Sequence, residues 1–149
     1  MGVGSFRHIT AAVFAGFLLI LMMASSATAR APMPIALVPF HPTIYSKITL
    51  AFYAPSDLPA DRHYYLDLLT PPATAQENST CSSATTKDYN VHAKKGQLVK
   101  LTITPQDSLP PSSHWCVAPY SMAGIFEMRP GDPMNQAIEL GSIVFAVRK

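Results

Sequence analysis

Two cysteines, Cys81 and Cys116, and the histidines at 41, 63, 92 and 114 are the residues of this 149-residue chain best suited to chemistry. Cys116 sits in "HWCVAPYSMAGIF", His114 to Phe126, beside the single tryptophan. A cysteine attacks only as the thiolate, which needs a basic partner to lower its pKa. His114 is two residues away, and residues two apart on a strand share a face. The second cysteine offers a simpler fate. An even pair in an exported chain reads as one disulfide, here closing a loop of about 35 residues. Free or metal-binding thiols are the alternative. No catalytic role is expected for Cys116, and no catalytic residue is assigned elsewhere.

Metal is the second chemistry to weigh. His41, His63, His92 and His114 fall on four segments, with Met33, Met122, Met128 and Met134 as soft donors. Imidazole suits Cu(II) and thioether suits Cu(I), so an exported copper-binding or copper-delivery protein is the alternative reading. No two of these histidines have ligand spacing, and methionines in strands mostly fill cores. No cofactor is expected. The carboxylates are scattered, and Asp61-Arg62-His63 reads as a solvated loop end. Tyr45, Tyr53, Tyr64, Tyr65, Tyr89 and Tyr120 could form a binding face for a glycan or a protein, since tyrosine is rigid and amphipathic. It is also an ordinary strand former. No nucleophile elbow, zinc-protease helix, phosphate loop or dinucleotide fingerprint occurs.

The elements that must position these residues begin after residue 29. Arg7 and His8 precede an uncharged apolar run, Ala11 to Ala24, and Ala27-Thr28-Ala29 follows as a cleavage site. That is the layout of a secretory signal peptide over 1–29. An uncleaved anchor is the alternative, but the run is shorter than the roughly 20 residues of a spanning helix. The chain beyond is the size of one ordinary domain. Its charge is near neutral, so no field draws in nucleic acid, and no stable membrane insertion is expected once the signal is removed. Asn78-Ser79-Thr80 is a glycosylation sequon, meaningful for Asn78 only in a eukaryotic source.

Residues 30–45 carry four prolines and read as an extended segment, with an edge strand near Ile35 to Val38. From 46 to 149 a period of two recurs. Ile48, Leu50 and Phe52 alternate with Thr49, Ala51 and Tyr53. Tyr64, Leu66 and Leu68 share a face. Residues 73–87 read as a long polar loop or irregular edge tied down by Cys81. Residues 88–105 read as a hairpin turning at Gly96, with Val99, Leu101 and Ile103 on its inner face. Pro119 predicts a bulge. In the closing "AIELGSIVFAVRK", Ile143, Phe145 and Val147 share one face and Val144 and Ala146 form another that is apolar too, which suits a central strand. The expected fold is an all-β, antiparallel β-sandwich of about 6–8 strands.

The strand "ITLAFYAP", the mid-chain Cys81, "GQLVKLTITP", "WCVAPYSMAGIF" and the closing "GSIVFAVRK" together resemble small exported bacterial domains with an immunoglobulin-like fold. The usual proline and glycine after the second cysteine are replaced by Val117-Ala118-Pro119. The resemblance implies an immunoglobulin-like sandwich over 46–149, secreted or in the cell envelope. It implies no activity. The expected function is a non-catalytic binding or structural module with a protein or glycan partner. A small enzyme or enzyme inhibitor working through a proline-stiffened loop ranks third, behind the copper reading.

Overall fold

The computed structural model describes residues 33–72, 74 and 80–149. The expected signal segment 1–29 and the sequon residue Asn78 lie outside the described residues.

Among the described residues there are seven strands and no α-helix: β1 (Ala36–Val38), β2 (Ile48–Tyr53), β3 (His63–Leu69), β4 (Ala84–Tyr89), β5 (Leu98–Ile103), β6 (Ala118–Met128) and β7 (Ile138–Val147). They form two antiparallel sheets, ordered β1-β2-β5 and β4-β3-β6-β7. The alternation read from the sequence sets their inner faces. Ile48, Leu50 and Phe52 pair in register with Ile103, Leu101 and Val99. Tyr64, Leu66 and Leu68 face them from β3, with Ala123 and Ile125 from β6, and all are buried in one core. Two sheets sharing one core make a β-sandwich. No helix among the described residues is long and apolar enough to cross a membrane.

Three local expectations are corrected. Residues 88–105 do not form a hairpin. β4 pairs with β3 in one sheet, β5 pairs with β2 in the other, and residues 90–97 cross between them. Sheet membership follows the better apolar match, which for Val99, Leu101 and Ile103 lies across β2. Gly96 still turns the chain, at φ +77°, and its N–H donates to Ala54 C=O at 2.8 Å. The polar stretch before residue 88 is a regular edge strand from Ala84, because Thr70 ends β3 by donating to Ser83 C=O and hands the ladder on. β7 is an edge strand and not a central one, and its Val144 is 65% exposed. Its inward residue Val147 belongs to the core, and Ile143 and Phe145 pack against that core, so only one of its apolar faces is covered.

The bulge expected at Pro119 is present as a register shift between Ala118 and Ser121. The N-terminal edge strand is present too. After it, the chain crosses to β7, where Thr43 and Arg148 form a parallel bridge. Ile44 N–H donates to Arg148 C=O and Arg148 N–H to Pro42 C=O.

Candidate binding surface

The connections after β1, β3 and β5 meet at one end of the strands. There β3 runs out, and the lead-ins of β4 and β6, which flank it, close on each other. Ser82 and Trp115 form a parallel bridge. Ser82 N–H donates to His114 C=O at 2.9 Å, and Cys116 N–H donates to Ser82 C=O at 3.0 Å. Beside this bridge Cys81 and Cys116 are joined by a disulfide, with Cα atoms 4.8 Å apart. Thr70 Oγ1 donates to the same Ser82 carbonyl at 2.6 Å, so both of its lone pairs are used.

Trp115 turns the other way, into the core, and is fully buried. Its indole Nε1–H donates to Ser46 C=O at 2.9 Å and its backbone N–H to Ile44 C=O at 2.8 Å. The neighbours Trp115 and Cys116 thus divide the work. One fills the core and ties in the 42–46 segment, while the other staples the lead-ins. Cys116 has no thiol to ionise.

Above this knot two of the connections, those after β1 and β5, display large apolar side chains. Phe40 is 75% exposed, Tyr45 72% and Leu109 94%. Tyr45 lies 6.2 Å from the His114 ring, and Phe40 packs edge-on to His41 at 4.6 Å. Tyr120 stands exposed in the bulge nearby in sequence. The sequence reading passed over Phe40 and Leu109. Their signal was the flanking prolines, Pro39 and Pro42, Pro110 and Pro111, which mark loops and so display whatever apolar residue they bracket.

The opposite end is built from charge. Arg62 meets Glu127 at 3.2 Å, with the Glu127 side chain largely buried. Arg129 meets Asp61 at 2.6 Å. Asp57 accepts from the Lys95 backbone N–H at 2.8 Å and lies 3.5 Å from Lys94 Nζ. The Lys95 amide, with the Lys94 charge behind it, holds the Asp57 carboxyl below its usual value. The Arg129 guanidinium does the same for Asp61. So Asp61-Arg62-His63 is not merely solvated: each of the three has a partner distant in sequence.

On the outer face of the four-stranded sheet, His63 Nδ1 lies 2.7 Å from Asp88 Oδ1, and Tyr65 O–H donates to Asp88 Oδ2 at 3.1 Å. Burial, then the Asp88 carboxylate, push the Tyr65 phenol up. The carboxylate fixes the imidazole ring and leaves Nε2 as its second nitrogen. Sequence offered no signal for this pairing across 25 positions. Farther along the same face Leu69, Met122 and Val144 stand in register on β3, β6 and β7, all three exposed.

The four candidate metal histidines divide between the two ends. His41 and His114 lie in the connections at the disulfide end. His63 opens β3, and His92 follows β4 at the charged end. A strand of six residues separates the ends by roughly 20 Å. Among the described residues no group of three or more His, Cys, Asp or Glu could hold a metal ion. Met33 and Met128 pack at different places, and Met122 and Met134 are exposed. The six tyrosines do not form one face. Tyr64 and Tyr65 are buried and Tyr89 is half-buried, while Tyr45, Tyr53 and Tyr120 point outward from separate elements. The Tyr89 O–H donates to the Thr102 carbonyl on the other sheet. Burial, and then the Asp107 charge, push its phenol up.

Compared with protein-family models, curated proteins and solved structures, the chain matches none of them.

Proposed function

We propose that this chain is an exported, immunoglobulin-like β-sandwich acting as a non-catalytic binding or structural module, and that it binds through its disulfide end. The observation that carries this reading is the contrast in exposure there. Phe40, Tyr45 and Leu109 are held out to solvent on connections anchored by Trp115 and the Cys81–Cys116 bond. Large apolar side chains on a rigid support bind with little ordering cost. Loops clustered at an end of a sandwich are a common place for recognition. Export is supported by the signal layout at 1–29 and by the disulfide, which persists in oxidising compartments. The immunoglobulin-like type is supported by the strand order, three strands against four, with the first segment passing from β2 to β7. The partner expected is a protein or glycan of the envelope or its surroundings.

The test is site-specific photo-crosslinking on cells that export the protein. A photoreactive phenylalanine replaces Phe40, Tyr45 or Leu109 in turn, with Lys95 at the charged end as the control. The expected result is a discrete crosslinked species from the disulfide-end positions and none from Lys95. No product from the first three, or the same product from Lys95, would overturn the reading.

A further inference from the structure

We infer that the partner of the disulfide end is an acidic glycan with one carboxylate per sugar, a polyuronate, seated on Tyr45 between Lys47 and Arg148. The inference rests on the disulfide end being the binding face, and goes beyond it by naming what that face takes.

Tyr45 is held at the apex of a turn, Thr43 to Ser46. Ser46 N–H donates to Thr43 C=O at 3.0 Å, and Thr43 N–H donates to Ser46 Oγ at 2.8 Å. The turn is also tied to its surroundings. Ile44 N–H donates to Arg148 C=O, and the Ile44 and Ser46 carbonyls accept the backbone and indole N–H groups of Trp115. The Tyr45 side chain itself is left out in solvent. The His114 ring stands 6.2 Å from it and tilted by 57°, so the two rings make an open corner. Ser113 Oγ holds His114 Nδ1 at 2.9 Å and leaves Nε2 for a ligand. An aromatic face fixed in advance receives the C–H face of a sugar ring at little ordering cost, and Nε2 offers a hydrogen bond to the sugar hydroxyls.

Charge complementarity selects an anion. In the connections after β1, β3 and β5 the one side-chain carboxylate among the described residues is Asp107. It is already occupied by Lys87 at 2.9 Å and by the Thr104 N–H and O–H. Lys47, Arg148 and Lys149 are exposed at the same end, and among the described residues none of their side chains is in an ion pair. Lys47 follows Tyr45 by two residues. Arg148 bridges Thr43, two residues before it, which sets those backbones one strand spacing, roughly 5 Å, apart. Tyr45 thus lies between two cations, one reached along the chain and one across the bridge. A cation to either side of one aromatic ring suits a polymer with one carboxylate per sugar, and the Arg148 guanidinium matches the two oxygens of a carboxylate. An acidic protein fits less well, because the cores of protein interfaces are depleted of lysine.

The test is affinity electrophoresis of the chain as its own host processes it, in native gels holding polygalacturonate, its neutral methyl ester or polyglutamate, with near-ultraviolet circular dichroism to check folding. Polygalacturonate should retard the protein, and the ester and polyglutamate should not. Tyr45→Ala or Arg148→Glu should raise the dissociation constant about tenfold. Tyr45→Phe, which keeps the ring, and Lys95→Glu, which makes a like change of charge at the far end, should leave it within about twofold. Arg148→Glu decides the matter if Tyr45→Ala does not fold. No retardation, equal retardation by the ester or by polyglutamate, or a dissociation constant that Tyr45→Ala and Arg148→Glu leave unmoved would overturn the inference. A discrete photo-crosslinked species from the disulfide end without retardation by polygalacturonate strikes the polyuronate alone, and a blank in both experiments strikes the binding face with it.

Discussion

Beyond the last residue of β3 the sandwich is joined by the Cys81–Cys116 bond, by two backbone hydrogen bonds beside it and by the Trp115 indole. Around the start of β3 the joins are Arg62–Glu127, His63–Asp88, Arg129–Asp61 and Lys94–Asp57. The first set is indifferent to salt and pH and sensitive to reductant. The second is the reverse. Exposed ion pairs contribute little and are screened, so the disulfide end carries most of the stability and the charged end opens first. An end that stays closed while displaying apolar side chains is the better platform for a partner.

The largest expected effect comes from breaking the staple. Replacing both cysteines by alanine, or reducing the bond, removes a constraint worth up to roughly 4 kcal/mol on the chain-entropy model. The melting temperature should fall by about 10 °C or more, and an unchanged melt would remove the basis of the comparison. Next is Trp115→Phe. It loses buried volume and leaves the Ser46 carbonyl without its indole donor, for about 2–3 kcal/mol by denaturant titration. At the charged end Arg62→Ala leaves Glu127 largely buried without its guanidinium, costing about 1–3 kcal/mol. If that exceeds the loss from the two cysteines, the ranking of the ends is inverted. Hydrogen exchange sharpens the contrast: molar salt should speed exchange near residues 57–62 and 127–129 and leave 80–83 and 114–117 unchanged.

The pH profile should have two limbs. Burial pushes the Asp107 carboxyl up, but the Lys87 ammonium and the Thr104 N–H and O–H outweigh it, and its pKa is lowered on balance. Asp57 and Asp61 are lowered too. A depressed carboxyl contributes stability above its unfolded value and loses it as pH falls through the folded one, so stability should decline below about pH 4. Tyr64, Tyr65 and Tyr89 are raised. Their contribution is complete below the unfolded phenol value and is lost as pH climbs past about 10. Asp107→Asn should flatten the acid limb and Tyr89→Phe the alkaline one. The smallest effect is Ser121→Ala. The Ser121 hydroxyl is buried with no hydrogen-bond partner, so its removal should leave stability unchanged or raise it by up to about 1 kcal/mol in a thermal melt.

Local pattern was legible where the chain's own alternation decides the answer. The inward faces of β2 and β5, the bulge at Pro119 and the cysteine pair followed from spacing and residue type. What failed was partnership. Tyr89, Val91 and Ala93 alternate as well as Val99, Leu101 and Ile103 do, yet Tyr89 ends β4 beside Tyr64, Val91 and Ala93 lie in the crossing, and only the second set finds a strand partner in Ile48, Leu50 and Phe52, some 45 to 55 positions upstream. β7 read as central because both its faces are apolar. It lies at an edge, and only one of those faces is covered. The candidate site was the least legible part. Phe40 and Tyr45 lie on the connection after β1 and Leu109 on the one after β5, and it is Trp115 reaching Ser46 that ties those two connections together.

The parallel bridge between Thr43 and Arg148 has a mechanical consequence. Two parallel segments, one near each end of the described chain, are pulled in opposite directions along their common axis when the termini are drawn apart. The Ile44–Arg148 and Arg148–Pro42 hydrogen bonds then bear the load together in shear and do not unzip singly. Should they yield, the covalent ring from Cys81 to Cys116, with a sequence separation of 35, withholds its contour from extension. At roughly 3.5 Å per residue that is on the order of 120 Å of chain that force cannot reach until a reductant arrives. A module anchored by its two ends would be stiff first and short afterwards.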